Sequence, residues 1–172
     1  MKRSQIQPMP PFFDRYINLI EDIDLLEGFA KYTPQHVFSD IEKLTRLADR
    51  VYAPGKWTVK DILQHVIDNE RIMSYRALRF SRNDKTPLPG YDEALLADNT
   101  IAARRTVGDL LDEFNQLRQS TITLFKQMDQ TMLTRMGNAN QTQINALALG
   151  FVILGHPLHH SHVLAERYFP ML

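Results

Sequence analysis

Thr58-Val59-Lys60-Asp61-Ile62-Leu63-Gln64-His65-Val66-Ile67-Asp68-Asn69-Glu70-Arg71, with its continuation to Phe80, reads as one long amphipathic helix. Thr58 is a good N-cap, because its side-chain oxygen can accept from an amide that the first turn leaves unpaired. Asp61 stands at the third helical position, a carboxylate variant of the capping box, and Trp57 is placed to staple onto Ile62. Val59, Ile62, Leu63, Val66, Ile67, Met73, Ala77 and Phe80 then carry apolar positions at helical spacing for about six turns. No segment of the chain alternates at period two for long enough to make a strand. Helices are therefore the expected unit of the fold.

Downstream of this helix the pattern fails from Ser81 to Val107. Asn83, Asp84, Pro87, Pro89 and Gly90 make this a long connection, of the kind that crosses a bundle end to end or walls a pocket. Thr106 opens a further helix through Leu110, Leu111, Phe114, Leu117, Thr121, Leu124 and Phe125, with Asp109 in its first turn and Lys126 in its last. Gly137-Asn138-Ala139-Asn140 reads as a turn. Thr142 reads as the cap of a last helix through Ile144, Leu147, Ala148, Phe151, Val152 and Leu154. Upstream, Phe13, Tyr16, Ile17, Ile20, Ile23 and Leu26 fit a helix over 12–30, weakened by Gly28. Thr33-Pro34 is either a fresh cap and first turn or a kink. Val37, Ile41 and Leu44 continue at helical spacing, and Thr45 is expected to cap a short turn from Arg46 to Arg50. Val51 to Lys56 is a turn with Pro-Gly chemistry. Residues 1–11, with Pro8, Pro10 and Pro11, form a disordered or extended lead, and 12–172 a single domain. Four main helices with one long crossover between the second and third give an all-α four-helix bundle, a fold that builds sites from facing helices.

A chain of 172 residues suits one domain with a substantial core. Its 20 basic residues balance 20 acidic ones, so no global field favours nucleic acid or an anionic membrane. Arg71, Arg76, Arg79 and Arg82 recur along one segment and read as a solvated helix face. The absence of cysteine excludes a disulfide framework, a thiolate metal site and a cysteine nucleophile together. The N-terminus lacks the apolar run of a signal peptide, and the longest apolar stretch, Ala146 to Leu154, is too short to span a bilayer. These features point to a cytoplasmic protein.

Chemistry concentrates in Gly155-His156-Pro157-Leu158-His159-His160-Ser161-His162, which holds four of the six histidines. On a helix, His156 and His160 share a face, a standard half-site for a divalent transition metal. His65, on the long helix, would complete a three-histidine site with one position open; the alternative is a set of buried histidines satisfied by protein partners. Asp68 lies on the His65 face, where it can serve as a fourth ligand, orient a histidine or act as a base. A salt bridge to a neighbouring arginine is the competing role. Glu70, turned about 140° from His65, fits a structural ion pair. His159 and His162 point away from the pair, toward the surface or a dimer contact. Pro157 deletes one backbone donor and crowds the carbonyl of Ile153, so a kink or restart of the helix is expected there.

Tyr52-Ala53-Pro54-Gly55-Lys56-Trp57-Thr58, His65-Val66-Ile67-Asp68-Asn69-Glu70-Arg71, Tyr75-Arg76-Ala77-Leu78-Arg79-Phe80, Asp84 to Asp92, and Gly155-His156 with His159-His160 resemble the DinB/YfiT-like superfamily over roughly residues 12–168. The resemblance implies a four-helix bundle of up-down-down-up order, a homodimer, and a divalent metal (Zn, Ni, Mn or Fe) on His65, His156 and His160. It also implies a metal-dependent hydrolase or a thiol-dependent S-transferase using bacillithiol or mycothiol. Without a cysteine of its own, a transferase would draw its thiol from a small cofactor. A non-catalytic bundle with a structural or vacant metal site, binding a small ligand or partner, is the other class consistent with the residues.

Overall fold

The computed structural model describes all 172 residues. Three long helices dominate it: α5 (Val59–Ser81), α7 (Val107–Lys126) and α9 (Ala146–Val163). Around them run the shorter α1 (Asp14–Ile17), α2 (Leu25–Lys31), α3 (Pro34–Val37), α4 (Ile41–Arg46), α6 (Glu93–Asp98) and α8 (Gln130–Thr134). α5 packs against both α7 and α9, while α1, α2 and α3 pack on α9, with α2 to α4 also reaching α7. The first side of the bundle is thus a series of short helices, not the single helix expected over 12–30. Aspartates account for the breaks. Asp22 accepts the Ser4 amide at 2.7 Å, and Asp24 caps α2 through the Leu26 amide at 2.9 Å while holding the N-terminal ammonium at 2.5 Å. Asp24 thereby takes an amide that a continuous helix would have paired internally, and both carboxylates tie the segment to the N-terminal residues.

The long helices start where their caps require. Thr58 and Asp61 form a reciprocal capping box on α5, and Thr106 and Asp109 do the same on α7. Thr33 caps α3 ahead of Pro34, so the fresh-start reading of Thr33-Pro34 holds. Thr45 lies inside α4, its hydroxyl donating to the Ile41 carbonyl at 2.7 Å, and caps nothing; Asp40 starts that helix. The 1–11 lead is docked: Ile6 is buried in the core and Arg3–Gln5 form a 3-10 turn. The long connection after α5 carries α6 and a second 3-10 turn, Ala102–Arg104.

A two-stranded antiparallel hairpin, β1 (Met136–Ala139) and β2 (Thr142–Asn145), replaces the expected turn and cap between α8 and α9. Four-residue strands are too short to show alternation. Asn140 and Gln141, both at positive φ, form the tip; asparagine tolerates that region where most residues resist it. The α9 cap is consequently Asn145, accepting from the Ala148 amide at 2.8 Å, and not Thr142. Gly137 permits the hairpin to lie on α5, because a Cβ there would come within 2.1 Å of the Phe80 ring.

Every residue of α9 from Ala146 to Pro157 is buried. A helix apolar all round is a core helix, whose stability comes from packing on every side. Its apolar residues from Ala146 to Leu154 belong to the larger of two apolar clusters. One gathers Phe13, Ile17, Phe29, Phe80, Phe125 and Phe151; the other gathers Phe38, Leu63, Ile67, Phe114, Leu164 and Tyr168. Between them lies a buried polar belt of Asn69 and Glu70 on α5, Arg118 on α7 and His156 on α9.

Pro157 neither restarts nor breaks α9, which is helical from Ala146 to Val163. Proline in a helix leaves one carbonyl without its donor and crowds that same carbonyl with its ring. That carbonyl belongs to Ile153, and the Arg118 guanidinium donates to it at 3.4 Å. The preceding Gly155 lets the α1 backbone close on α9: a Cβ there would fall 2.0 Å from the Tyr16 carbonyl oxygen. Because the obstacle is main chain, Gly155→Ala is expected to destabilise the fold by at least about 1–3 kcal/mol, an overpacking penalty. Thermal or urea unfolding of the variant measures it, and an unchanged midpoint would show that α1 yields freely.

Candidate metal centre

Three imidazoles converge where α5 faces α9. His65 follows Ile62 on the buried side of α5, and His156 and His160 occupy successive turns of α9. The Nε2 atom of His156 lies 3.1 Å from Nε2 of His65 and 3.3 Å from Nε2 of His160. One potential ligand nitrogen from each residue falls within 4.8 Å of the others. Rings pack edge to face, with centroids 4.9, 4.9 and 4.6 Å apart. Trp57 covers His65 at 4.7 Å between centroids, and Tyr16 packs on both His156 (5.1 Å) and His159 (5.5 Å). Trp57 is therefore a wall of the cluster rather than only a staple.

Electrostatics keep these rings uncharged. Burial lowers the His65 pKa to about 4. Burial, then the neighbouring His65 and His159, lowers His160 to about 3. His156 is pushed well below the ordinary histidine value, first by burial and then by His160 and His65. Near neutral pH each ring is neutral, the protonation state a metal requires of an imidazole ligand.

The donor set fits a divalent transition ion. An ion bonded to imidazole nitrogens at about 2.0–2.1 Å in tetrahedral geometry separates them by about 3.3 Å, which matches the two Nε2 distances. Hydrogen bonding accounts for the cluster less well. His156 has one in-plane position at Nε2 facing two neighbours, and its Nδ1 is buried without a hydrogen-bond partner. If Nε2 accepts from both neighbours, the proton must sit on that isolated Nδ1. A bound ion would leave that Nδ1 proton equally unmet, so the case for a shared cation rests on Nε2 itself, whose single lone pair cannot accept two well-aligned hydrogen bonds at once.

Asp68 stands outside this group of three. Its carboxylate accepts from Gln64 Nε2 at 2.9 Å and lies 3.7 Å from Arg71 Nη1; burial raises its pKa. Of the roles expected for Asp68, the arginine contact is present, at the 3.7 Å separation from Arg71. Glu70 forms its structural ion pair with Arg118, whose Nε and Nη2 donate to the carboxylate at 2.8–3.1 Å. His162 is exposed and His159 half-buried. Arg118 and Tyr16 carried no expectation of a place near the cluster, and Arg76, expected on a solvated face, is buried. An arginine near the middle of an amphipathic helix carries no local mark of being buried, and Tyr16 reaches the cluster only through the tertiary fold.

Two cavities reach the histidines and share no lining residue. A cavity of about 310 Å³ ends on His156, and one of about 260 Å³ ends on His160 beside Trp57 and Tyr52. The Tyr168 hydroxyl donates to the Trp57 carbonyl at 2.5 Å and pins the loop that borders the smaller one. Burial pushes that phenol up to about 12, so it remains a donor throughout the physiological range.

No helix is long and apolar enough to cross a membrane. No curated protein sequence matches the chain significantly. Among solved structures, the chain is similar to YfiT from Bacillus subtilis, described as a probable metal-dependent hydrolase with an unusual four-helix bundle topology. The match has a TM-score of 0.69 at 20% identity and covers 92% of this chain and 87% of that one. The likeness carries the fold: a bundle of the YfiT type in which the short N-terminal helices take one side. The family model of the DinB superfamily matches residues 31–164, a span that includes all three clustered histidines. By that match, together with the bundle fold, the chain belongs to the DinB superfamily.

Proposed function

We propose that the chain is a divalent-metal-dependent hydrolase whose ion is held by His65, His156 and His160. The observation that carries this reading is the convergence of three neutral imidazoles, two buried and one half-buried, with His156 Nε2 at the spacing of tetrahedral ligands from each of the other two. The described activity of YfiT, a structural neighbour, supports the same class. When bound, such an ion supplies Lewis acidity and acidifies a water or thiol at its open position. The residues of the chain do the rest. Tyr16 and Trp57 shield the rings, α9 fixes the His156–His160 pair in register, and the cavity on His156 receives the substrate. Asp68, bound to Gln64 and beside Arg71, is proposed as a positioning residue for the α5 surface below His65.

A second reading, a thiol-dependent S-transferase, draws on the smaller cavity. A separate pocket of about 260 Å³ on His160 gives a second small molecule its own entrance, as a low-molecular-weight thiol would need in a chain without cysteine. The wider expectations, a cytoplasmic homodimer of single-domain subunits without a nucleic-acid partner, belong to both readings; the even charge balance supports the last.

Elemental analysis of untagged protein, purified without chelator, tests the reading. It predicts about one Zn, Ni, Mn or Fe per chain, and ester or amide hydrolysis that chelation abolishes and the same ion restores. Metal-dependent transfer of a small thiol without hydrolysis would favour the second reading. A chain that takes up no ion even after each is added back would contradict both.

A further inference from the structure

Arg76 is unusual among the arginines of α5. Arg71 and Arg79 each hold a carboxylate, whereas Arg76 is only 3% exposed and engages none. Its Nη2 donates to the Pro89 carbonyl at 2.9 Å, and Nη1 makes a weak contact with the Met73 thioether at 3.8 Å. Burial lowers its pKa, and the partial offset comes from Tyr91 alone. A buried guanidinium without a counter-ion is costly, since each cation removed from water needs a compensating charge or a full set of acceptors. The long connection places Tyr91 against it, with the Arg76 Cζ 5.7 Å from the ring centroid. Asn69 donates to the Tyr91 oxygen at 2.8 Å, and the phenol's own proton has no protein acceptor. Arg76, Asn69 and Tyr91 all line the 310 Å³ cavity that ends on His156. Glu93, the acidic residue lining it, is exposed at the rim.

We propose that this cavity binds a small acid with an apolar body, its carboxylate paired with Arg76 and Tyr91 and its other end directed to His156. The inference rests on the histidine cluster being the reaction centre, and it deepens that reading by naming the substrate class. Eleven residues separate His65 from Arg76, about 20° from the same helix face and about 16 Å along the axis. Both side chains lean toward the helix N-terminus, the longer arginine further than the histidine, which leaves on the order of 10–15 Å between the guanidinium and the histidines. Phe13, Met73 and Val152 supply the apolar wall of that span. The substrate is therefore an extended monocarboxylate that reacts at the end remote from its acid group. This arrangement follows the usual build of small-molecule sites, apolar walls with a few polar groups that fix orientation.

Calorimetric titration with hexanoate, octanoate, phenylacetate and 4-phenylbutyrate, each against its uncharged amide, tests the proposal. Measurements use the metal-free protein and, separately, the zinc-loaded protein. In metal-free wild type at least one acid is expected to bind about 10-fold or more tighter than its amide, the scale of a charge-assisted contact. Arg76→Met should bring acid and amide within about twofold while zinc stoichiometry stays at the wild-type value, and Arg76→Lys should restore part of the preference. No acid preference anywhere in the wild-type panel would overturn the proposal, and so would a preference that survives in Arg76→Met. A preference seen only after zinc loading would also overturn it, by placing the carboxylate on the ion. Wild type that discriminates acids yet binds no zinc would leave the acid site standing and reject the metal reading alone.

Discussion

Replacing His156 by alanine is expected to lower the affinity for zinc by more than about 100-fold, with His65→Ala and His160→Ala close behind. Loss of groups that only orient a ligand already costs about 10–100-fold, and loss of one ligand in three should cost more. His156 is the centre of the cluster, because its Nε2 is the atom near both others. His162→Ala is the control: that ring is exposed and outside the group of three, so its removal should leave affinity unchanged. Competition against a chromophoric chelator reads all four variants. Retention of tight binding in His156→Ala, or an equal loss in His162→Ala, would show that the ion binds elsewhere. Stability offers a second reading of the same variant. Removing His156 also removes its unmet Nδ1, so the metal-free variant should lose less stability than truncation of a comparably buried, satisfied side chain.

The largest expected effect on stability is that of Arg118→Met. Arg118 is 1% exposed and joins four parts of the molecule. It pairs with Glu70 on α5, donates to the Tyr32 carbonyl at the end of α2 at 2.8 Å, and reaches the Ile153 carbonyl on α9. The rings of Phe29 and Phe114 lie 5.6 and 5.2 Å from its Cζ. Breaking a buried pair by deleting one partner costs about 3–5 kcal/mol, because the remaining charge is left in a poor medium. For a domain of this size each kcal/mol is worth about 2–4 °C, so the midpoint should fall by about 6–20 °C. Glu70→Met/Arg118→Met should recover the part due to the stranded carboxylate. A deficit should remain, because the Tyr32 and Ile153 carbonyls are still without their donor. A double variant no better than Arg118→Met would show that Glu70 contributes little. Full recovery would show that Pro157 needs no help from Arg118.

The long helices were legible because their signals are local. Thr58 with Asp61, and Thr106 with Asp109, announce their starts within four residues, and helical spacing carries the pattern onward. The His156–His160 pair was legible for the same reason: four residues of helix bring one ring over the other, and no tertiary information is needed. Elsewhere the controlling contacts are distant in sequence. Ser4 and the N-terminal ammonium meet Asp22 and Asp24, which turns one expected helix into several short ones. The β1–β2 hairpin depends on Gly137 lying against Phe80, a contact between residues far apart in the chain. Pro157 is the clearest case. Its local rule forecasts a break, yet the helix runs through it, and a guanidinium from another helix reaches the carbonyl left without a donor. Arg76 and Arg118 show the converse limit, since the sequence marks both as ordinary arginines on amphipathic helices, and only the fold reveals that they are buried.

The central claim is that three histidines from two helices hold one ion. Anomalous diffraction from zinc-grown crystals, recorded above the zinc absorption edge, tests it most directly. The account predicts one strong peak per chain, about 2.0–2.1 Å from the Nε2 atoms of His65, His156 and His160. Well-ordered crystals with no peak among those nitrogens, or with zinc only on His159 or His162, would contradict it.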